Sequence, residues 1–422
     1  MKIVKASFVK GVSAFYFDDQ AAVKSGAKQD GFIYQGKPIT DGFSSVRQAG
    51  ECVSVLLHLE NGLIAQGDCI AVQYSGAGGR DPVFLADTYL DFLKTKITQH
   101  LLDRRVDTFL SNSRYFDELI IDGKLMHTAI RYGLSQALLD ATALANVCLK
   151  SEVICAEYAL PIISEKVKLF AQSGDDRYES VDKMILKKVD ALPHALINSL
   201  DKIGRQGEAL LDYVDWLAKR IDLHRPSDDY RPNLHIDVYG MIGEIFNNEP
   251  NKISDYIARL QDKAGDYQLY IEGPIDMGSK VKQIEMLSAI KTLLASSGSC
   301  AKIVADEWCN TFQDVTDFVD AACCHMVQIK TPDLGAVHNT VEAVLYSRKH
   351  GVEAYQGGTC NETDISAQVC THLALASRPD LMLVKPGMGF DEGMMIVANE
   401  MARTIQVMKD KQPQLQAVYS IG

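Results

Sequence analysis

From about residue 165 onward the chain alternates between short apolar runs and longer stretches with helical spacing. The runs lie near 167–173, 189–194, 233–239, 268–273, 302–307, 325–330, 352–357 and 380–385. Helical patterns fill 176–188, 200–222, 251–264, 279–295, 312–320, 335–349 and 363–376. Repeated strand–helix alternation predicts a parallel sheet, and eight units predict a sheet closed into a barrel. The second run, VDALPH, is the least regular, because Pro193 has no N–H to give to a ladder.

The preceding part has a different rhythm. ECVSVLLHLE (51–60) and LIAQGDCIAVQ (63–73) read as strands joined at Asn61-Gly62, a dipeptide suited to the positive φ of a hairpin turn. Met1 to Phe8 is a third candidate strand. A helix is predicted over 125–146, with Leu134, Leu138, Ala141 and Ala145 on one face. SGAGGRDP (75–82) is expected to be a mobile loop, since no GK[ST] follows it as in a phosphate loop. Pro161 marks a boundary, dividing an α+β domain (1–160) from the barrel (161–422).

Composition narrows the picture. A chain of 422 residues is long for one domain, and 47% hydrophobic content suffices for a sizeable core. A net charge of −12 argues against a nucleic-acid surface. Ten cysteines, among them the adjacent Cys323 and Cys324, show no CxxC spacing and read as reduced thiols. Lys5 and Lys10 interrupt any leader-like apolar run, and no stretch is apolar enough to span a bilayer. The expected location is cytoplasmic.

Chemistry gathers at the ends of the apolar runs. Asp237, Glu272 and Asp306 close three successive runs, 35 and 34 residues apart, and Lys330 stands in the equivalent place in the next. Gln172, His194, Gln328, Thr359 and Cys360 occupy the ends of other runs. In a barrel these positions share the C-terminal mouth. One such Asp is commonly a helix cap, and one such His a core residue. Their joint occurrence, in order, points to a site. Three carboxylates with no cationic partner of their own suit a hard divalent cation such as Mg²⁺, and a lysine beside them suits a general base. That combination suggests proton abstraction next to a carboxylate. Lys187-Lys188 reads as a solvated helix face and Asp228-Asp229 as a solvated turn, while His325 and His338 receive no role.

Several strings carry a family resemblance: AVQYSGAGGRDP, AQSGDDRY, LPHALIN, HIDVYG, IEGP, VADEWCNT, HMVQIKTPDLG, QGGTCNETD and KPGMGFDEGMMI. Through them the chain resembles, nearly end to end, the methylaspartate ammonia-lyases of the enolase superfamily. The resemblance implies an α/β fold, a modified (β/α)₈ TIM-type barrel under an N-terminal α+β capping domain. It implies Mg²⁺ on Asp237, Glu272 and Asp306, with Lys330 and His194 as catalytic groups on opposite sides of the substrate. Gln172, Gln328, Thr359 and Cys360 match positions holding substrate carboxylates, Gln73 one near the amine, and Leu383 one lining the methyl pocket. The implied reaction, part of glutamate degradation, is loss of ammonia from L-threo-3-methylaspartate to give mesaconate through an enolate. A homodimer and a monovalent activator such as K⁺ are implied as well. An acid-sugar dehydratase, racemase or epimerase would share the metal site, and a silent scaffold would share the barrel. QGGTCNETD, LPHAL and VQIK favour the lyase, and the His-Asp pair usual in dehydratases is not seen.

Overall fold

Eight parallel strands close into a barrel in the computed structural model, which describes residues 1–77, 79–387 and 389–419. Ahead of them stands an antiparallel sheet of three strands, β1 (Ile3–Asp18), β2 (Arg47–Leu59) and β3 (Ile64–Cys69), in that spatial order. The hairpin between β2 and β3 turns at Asn61-Gly62, with Gly62 at φ 86°. The first strand runs far past Phe8, because its second half pairs with the start of β2, Gly11 opposite Cys52 and Tyr16 opposite Ala49. Apolar alternation fades there, so the extension was not legible from pattern.

Helix α1 (Thr128–Ala145) lies across this sheet. It starts later than periodicity suggests, since Lys124–Leu125 pairs with Ile120–Ile121 and His127 Nδ1 accepts the Ala129 N–H at 3.0 Å as a cap. The helix meets β3 backbone to backbone: a Cβ on Gly133 would overlap the Cys69 main-chain nitrogen, and one on Gly67 the Gly133 carbonyl. Only glycine permits that approach.

The barrel strands are β4 (Leu169–Phe170), β5 (Ala191–Leu196), β6 (Asn233–Asp237), β7 (Leu269–Glu272), β8 (Lys302–Ala305), β9 (Met326–Ile329), β10 (Glu353–Gln356) and β11 (Leu381–Leu383). All but β5 fall within their predicted runs, β5 continuing two residues past its run of 189–194, and β11 pairs back onto β4. Strand β5 runs through Pro193, whose carbonyl still accepts the Ser173 N–H at 2.8 Å. The helix expected over 200–222 is broken. Gly204 and Gly207 adopt φ of 86° and 83°, leaving a short turn at Leu200–Ile203 before α2 (Glu208–His224). Further helices cover Asp364–Ser377 and Asp391–Tyr419, the last not anticipated from the pattern.

Strand side chains alternate in and out, so residues two apart share a face. Phe170, Ala191, Tyr270, Val304, Met326, Tyr355, Leu381 and Leu383 fill the barrel interior as a separate small core. The larger core lies between the ring and its helices and continues into the N-terminal domain. Two positions beyond Phe170, Tyr270, Val304 and Met326 stand Gln172, Glu272, Asp306 and Gln328. The same inward register that buries the apolar plug thus delivers a polar layer to the mouth above it.

The N-terminal domain covers that mouth. Asn361, in the loop after β10, accepts from Ser13 Oγ at 2.8 Å and donates to the Tyr16 carbonyl at 3.1 Å. In the Gly-rich segment expected to be mobile, Gly78 lies outside the described residues. Its neighbours are tied down: Gly76 N–H donates to the Asp81 carbonyl at 2.7 Å, and Arg80 pairs with Asp333 at 2.8 Å. No helix among the described residues is long and apolar enough to cross a membrane.

Candidate active site

The strand-end residues converge. Gln172, His194, Asp237, Asp306, Gln328, Lys330, Thr359 and Cys360 line a cavity of about 110 Å³ at the barrel mouth, with Leu383 on its wall and Gln73 from the N-terminal domain above. Glu272 is fully buried beside them, paired in register with Asp237 on the next strand.

Local backbone geometry aims these groups. Strand β5 carries a bulge: Ile236 pairs with His194 but Asp237 with Leu196, so Ala195 is extra. His194 and Ala195 both adopt left-handed φ, 63° and 52°. Such a bulge turns a side chain away from its normal strand direction, and strain of this kind concentrates at functional sites. It brings His194 Nε2 to 3.8 Å from both Asp237 Oδ2 and Glu272 Oε2. Asp237 is steadied by the Tyr239 N–H, which donates to Oδ1 at 3.1 Å.

Lys330 Nζ lies 2.6 Å from Asp306 Oδ1. The three carboxylates are therefore not without a cationic partner, as composition along the chain had suggested, because β8 and β9 are adjacent in the ring. Among the described residues, His194, Asp237 and Glu272 form a potential ligand set, with one donor atom each within 4.8 Å of the others.

Electrostatics set these groups apart from ordinary ones. Burial, followed by the charge of Asp306, pushes the Asp237 carboxyl well above its usual range. Burial and then the charges of Asp237 and Asp306 do the same to Glu272. Burial pushes the His194 imidazole down to about 4, so it is neutral at pH 7. For Lys330 burial acts downward, but Asp306 and Glu307 more than reverse it and hold the ammonium above its ordinary pKa. Burial also pushes the Cys360 thiol up to about 12, leaving it a neutral donor.

Carboxylates crowded in this way call for a positive ion. Glu272 Oε1 is buried with no hydrogen-bond partner, while Oε2 lies 2.7 Å from His235 Nε2. An orphaned oxygen beside two further carboxylates is a donor set that fits a hard divalent cation.

The family model described as Methylaspartate ammonia-lyase C-terminus matches residues 161–410, and the one described as Methylaspartate ammonia-lyase N-terminus matches residues 1–159. The chain belongs to the methylaspartate ammonia-lyase family. It is 63% identical over 412 residues to the methylaspartate ammonia-lyase of Citrobacter amalonaticus, covering 97% of this chain and 100% of that one. The crystal structure of that enzyme containing (2S,3S)-3-methylaspartic acid superposes with a TM-score of 0.96. The Mg complex of β-methylaspartase from Clostridium tetanomorphum is 50% identical, spans 97% of this chain and 100% of that one, and has a TM-score of 0.94. Muconate lactonizing enzyme from Pseudomonas fluorescens, 14% identical over 89% of this chain and 84% of that one with a TM-score of 0.59, shares the fold.

The remaining candidates in this family member are held as follows. Gln73 Nε2 donates to Asp18 Oδ2 at 2.6 Å, and Cys360 Sγ donates to Gln73 Oε1 at 3.6 Å. Asp18 is itself clamped by Arg47 at 2.7 Å. Gln172 Nε2 donates to the Gly387 carbonyl at 2.7 Å, and Gln328 Nε2 to Tyr355 OH at 3.0 Å, leaving Gln328 Oε1 unpartnered. His325 and His338 lie away from the cavity; His325 Nδ1 accepts the Ile303 N–H, and His338 Nδ1 lies 2.8 Å from Ser113 Oγ.

Sequence reasoning missed several lining residues: Tyr74, Arg80, Tyr239, Glu307 and Tyr355. His235, under Glu272 and stacked on Phe170 at 4.2 Å, was missed too. The inward register was a signal for His235, two positions before Asp237, and for Tyr355, four positions before Thr359. Nothing local signals Arg80, which reaches the barrel across a domain boundary.

Proposed function

We propose that this chain eliminates ammonia from L-threo-3-methylaspartate, the (2S,3S) isomer, to give mesaconate. The observation that carries the reading is the pairing of Lys330, at the end of β9, with His194, on β5. Those strands are four apart in a ring of eight, so the two groups face each other across the cavity with carboxylates between them.

In this reading Asp237, Glu272 and Asp306 would hold Mg²⁺, and His194 is left free of it. When bound, Mg²⁺ supplies Lewis-acid stabilisation of the charge that builds on the substrate carboxylate. Lys330 takes the proton from C3. It must be neutral to do so, and its contact with Asp306 favours the ammonium, so drawing Asp306 to another partner lowers the cost of deprotonation. His194, neutral at rest, faces the opposite side of C3 and serves as base for the (2S,3R) isomer. Gln172, Gln328, Thr359 and Cys360 hold the substrate carboxylates through amide, hydroxyl and thiol donors. Gln73 sits toward the amine, and Leu383 gives the methyl group an apolar wall.

Further parts of the reading are a homodimer, activation by a monovalent cation such as K⁺, a cytoplasmic location, and domains spanning 1–160 and 161–422. The direct test is ultraviolet absorbance of mesaconate formed from 3-methylaspartate, with and without Mg²⁺. Turnover that needs Mg²⁺ supports the reading. No turnover of this substrate under either condition overturns it.

A further inference from the structure

One ion pair in the barrel is fully buried and lies outside the cavity. Lys385, two residues beyond β11, and Glu362, in the loop after β10, are both without solvent exposure, with Nζ 2.9 Å from Oε1. The ammonium has three donors and three acceptors: Glu362 Oε1, Thr331 Oγ1 at 2.9 Å and the Gly357 carbonyl at 2.8 Å. Thr331 Oγ1 in turn donates to Glu362 Oε1 at 2.8 Å, closing a triangle. Glu362 Oε2 accepts from Tyr132 OH of α1 at 3.0 Å. The ammonium is so close to the main chain that a Cβ on Gly358 would overlap it.

Each member touches a piece of the site. Thr331 follows Lys330 directly. Gly357 and Gly358 lead into Thr359 and Cys360. Lys385 lies two residues past Leu383, and Tyr132 belongs to the covering domain. No member is on the strand that carries His194.

A buried pair of this kind adds little net stability compared with well-packed apolar groups, because desolvation offsets the attraction. Its value lies in geometry: the directional bonds admit one relative arrangement of the chain segments they join. We propose that Lys385 and Glu362, with Thr331, are positioning residues that fix Lys330, the Thr359–Cys360 loop and Leu383 relative to one another. They touch no substrate and act only through the residues they hold. The proposal rests on the functional reading above, with Lys330 as the base for the (2S,3S) isomer.

The test begins with Thr331→Val, which removes the bridging hydroxyl at nearly constant volume, and Thr331→Ser, which retains it. Thermal melting and kcat for both isomers are measured for each. Thr331→Val is expected to remain folded but lose roughly 10–100-fold in kcat on the (2S,3S) isomer, the scale of a small misplacement of reacting groups. Thr331→Ser should restore most of that loss, and the (2S,3R) reaction should suffer less. The double variant Lys385→Met/Glu362→Gln, which leaves no unpaired charge, should keep its fold better than either single change while its (2S,3S) kcat stays low. Folded Thr331→Val with wild-type kcat overturns the proposal, as does a double variant that recovers stability and activity together. A wild-type chain that makes no mesaconate overturns the functional reading, and this proposal with it. An active wild type with an indifferent Thr331→Val overturns this proposal alone.

Discussion

Replacing Lys330 by alanine, set against the same change at His194, separates two faces of one site. Lys330 is the only group of the two that carries a charge at rest, held by Asp306 at 2.6 Å. Its loss removes the proposed base and leaves Asp306 unpaired next to Asp237 and Glu272. The chemical cost expected for a missing general base is about 10²–10⁴ in rate. That corresponds to about 2.7–5.5 kcal/mol in the barrier. A structural cost of about 3–5 kcal/mol, typical of breaking a buried pair, adds to it and is read separately by thermal unfolding. His194 is neutral, with burial pushing its pKa down to about 4, so its removal strands no charge and should cost less stability. Mesaconate formation and exchange of the C3 hydrogen in D₂O are followed for the (2S,3S) and (2S,3R) isomers. Lys330→Ala should abolish reaction of the first, and His194→Ala should fall hardest on the second. Equal losses on both isomers in both variants would refute two opposed bases and leave His194 as a positioning group.

Other outcomes follow from the same geometry. Exhaustive chelation, or Asp237→Asn, should abolish deamination while the fold persists, and calorimetric titration of Asp237→Asn with Mg²⁺ should show greatly weakened binding; full activity after chelation would contradict this. Leu383→Ala should admit larger 3-substituents, since a methylene in an apolar pocket is worth about 1–3 kcal/mol, and Gln73→Ala should admit bulkier amines in the reverse addition; unchanged substrate profiles in both would mean the pocket is assigned wrongly. Asp19 offers a pH-dependent test. Burial would raise its pKa, but hydrogen bonds from the Thr40 hydroxyl and from the Thr40, Ile39 and Ala22 N–H groups hold it at about 2. Because the folded value is depressed from 3.8, its contribution of about 2 kcal/mol is present above pH ~4 and is lost as pH falls toward 2. Asp19→Asn should therefore lower stability at neutral pH and narrow its difference from wild type in acid, measured by denaturant unfolding at each pH.

Much of this molecule is written in local pattern. The eight apolar runs became the eight barrel strands because a buried parallel strand needs only a few apolar residues between breakers, and that signal survives short strands such as Leu169–Phe170. Pro193 did not break β5, since its carbonyl alone serves the ladder. Where neighbours rather than pattern decide, periodicity misled. It merged Leu200–Ile203 with Glu208–His224 across glycines at positive φ, and it ended β1 at Phe8 although pairing with β2 continues to Asp18.

The sequence by itself determined which residues stand at the barrel mouth. A side-chain period of two and a repeated strand–helix unit oblige Asp237, Glu272, Asp306 and Lys330 to face inward at equivalent heights. Only the tertiary structure decided how those groups meet. Ring closure puts Asp306 against Lys330 and sets β5 opposite β9. The bulge at Ala195 turns His194 toward the carboxylates. Arg80, Gln73 and the pair of Lys385 with Glu362 join segments far apart in the chain, and no local propensity encodes a contact whose partners meet only after the barrel has closed under its covering domain.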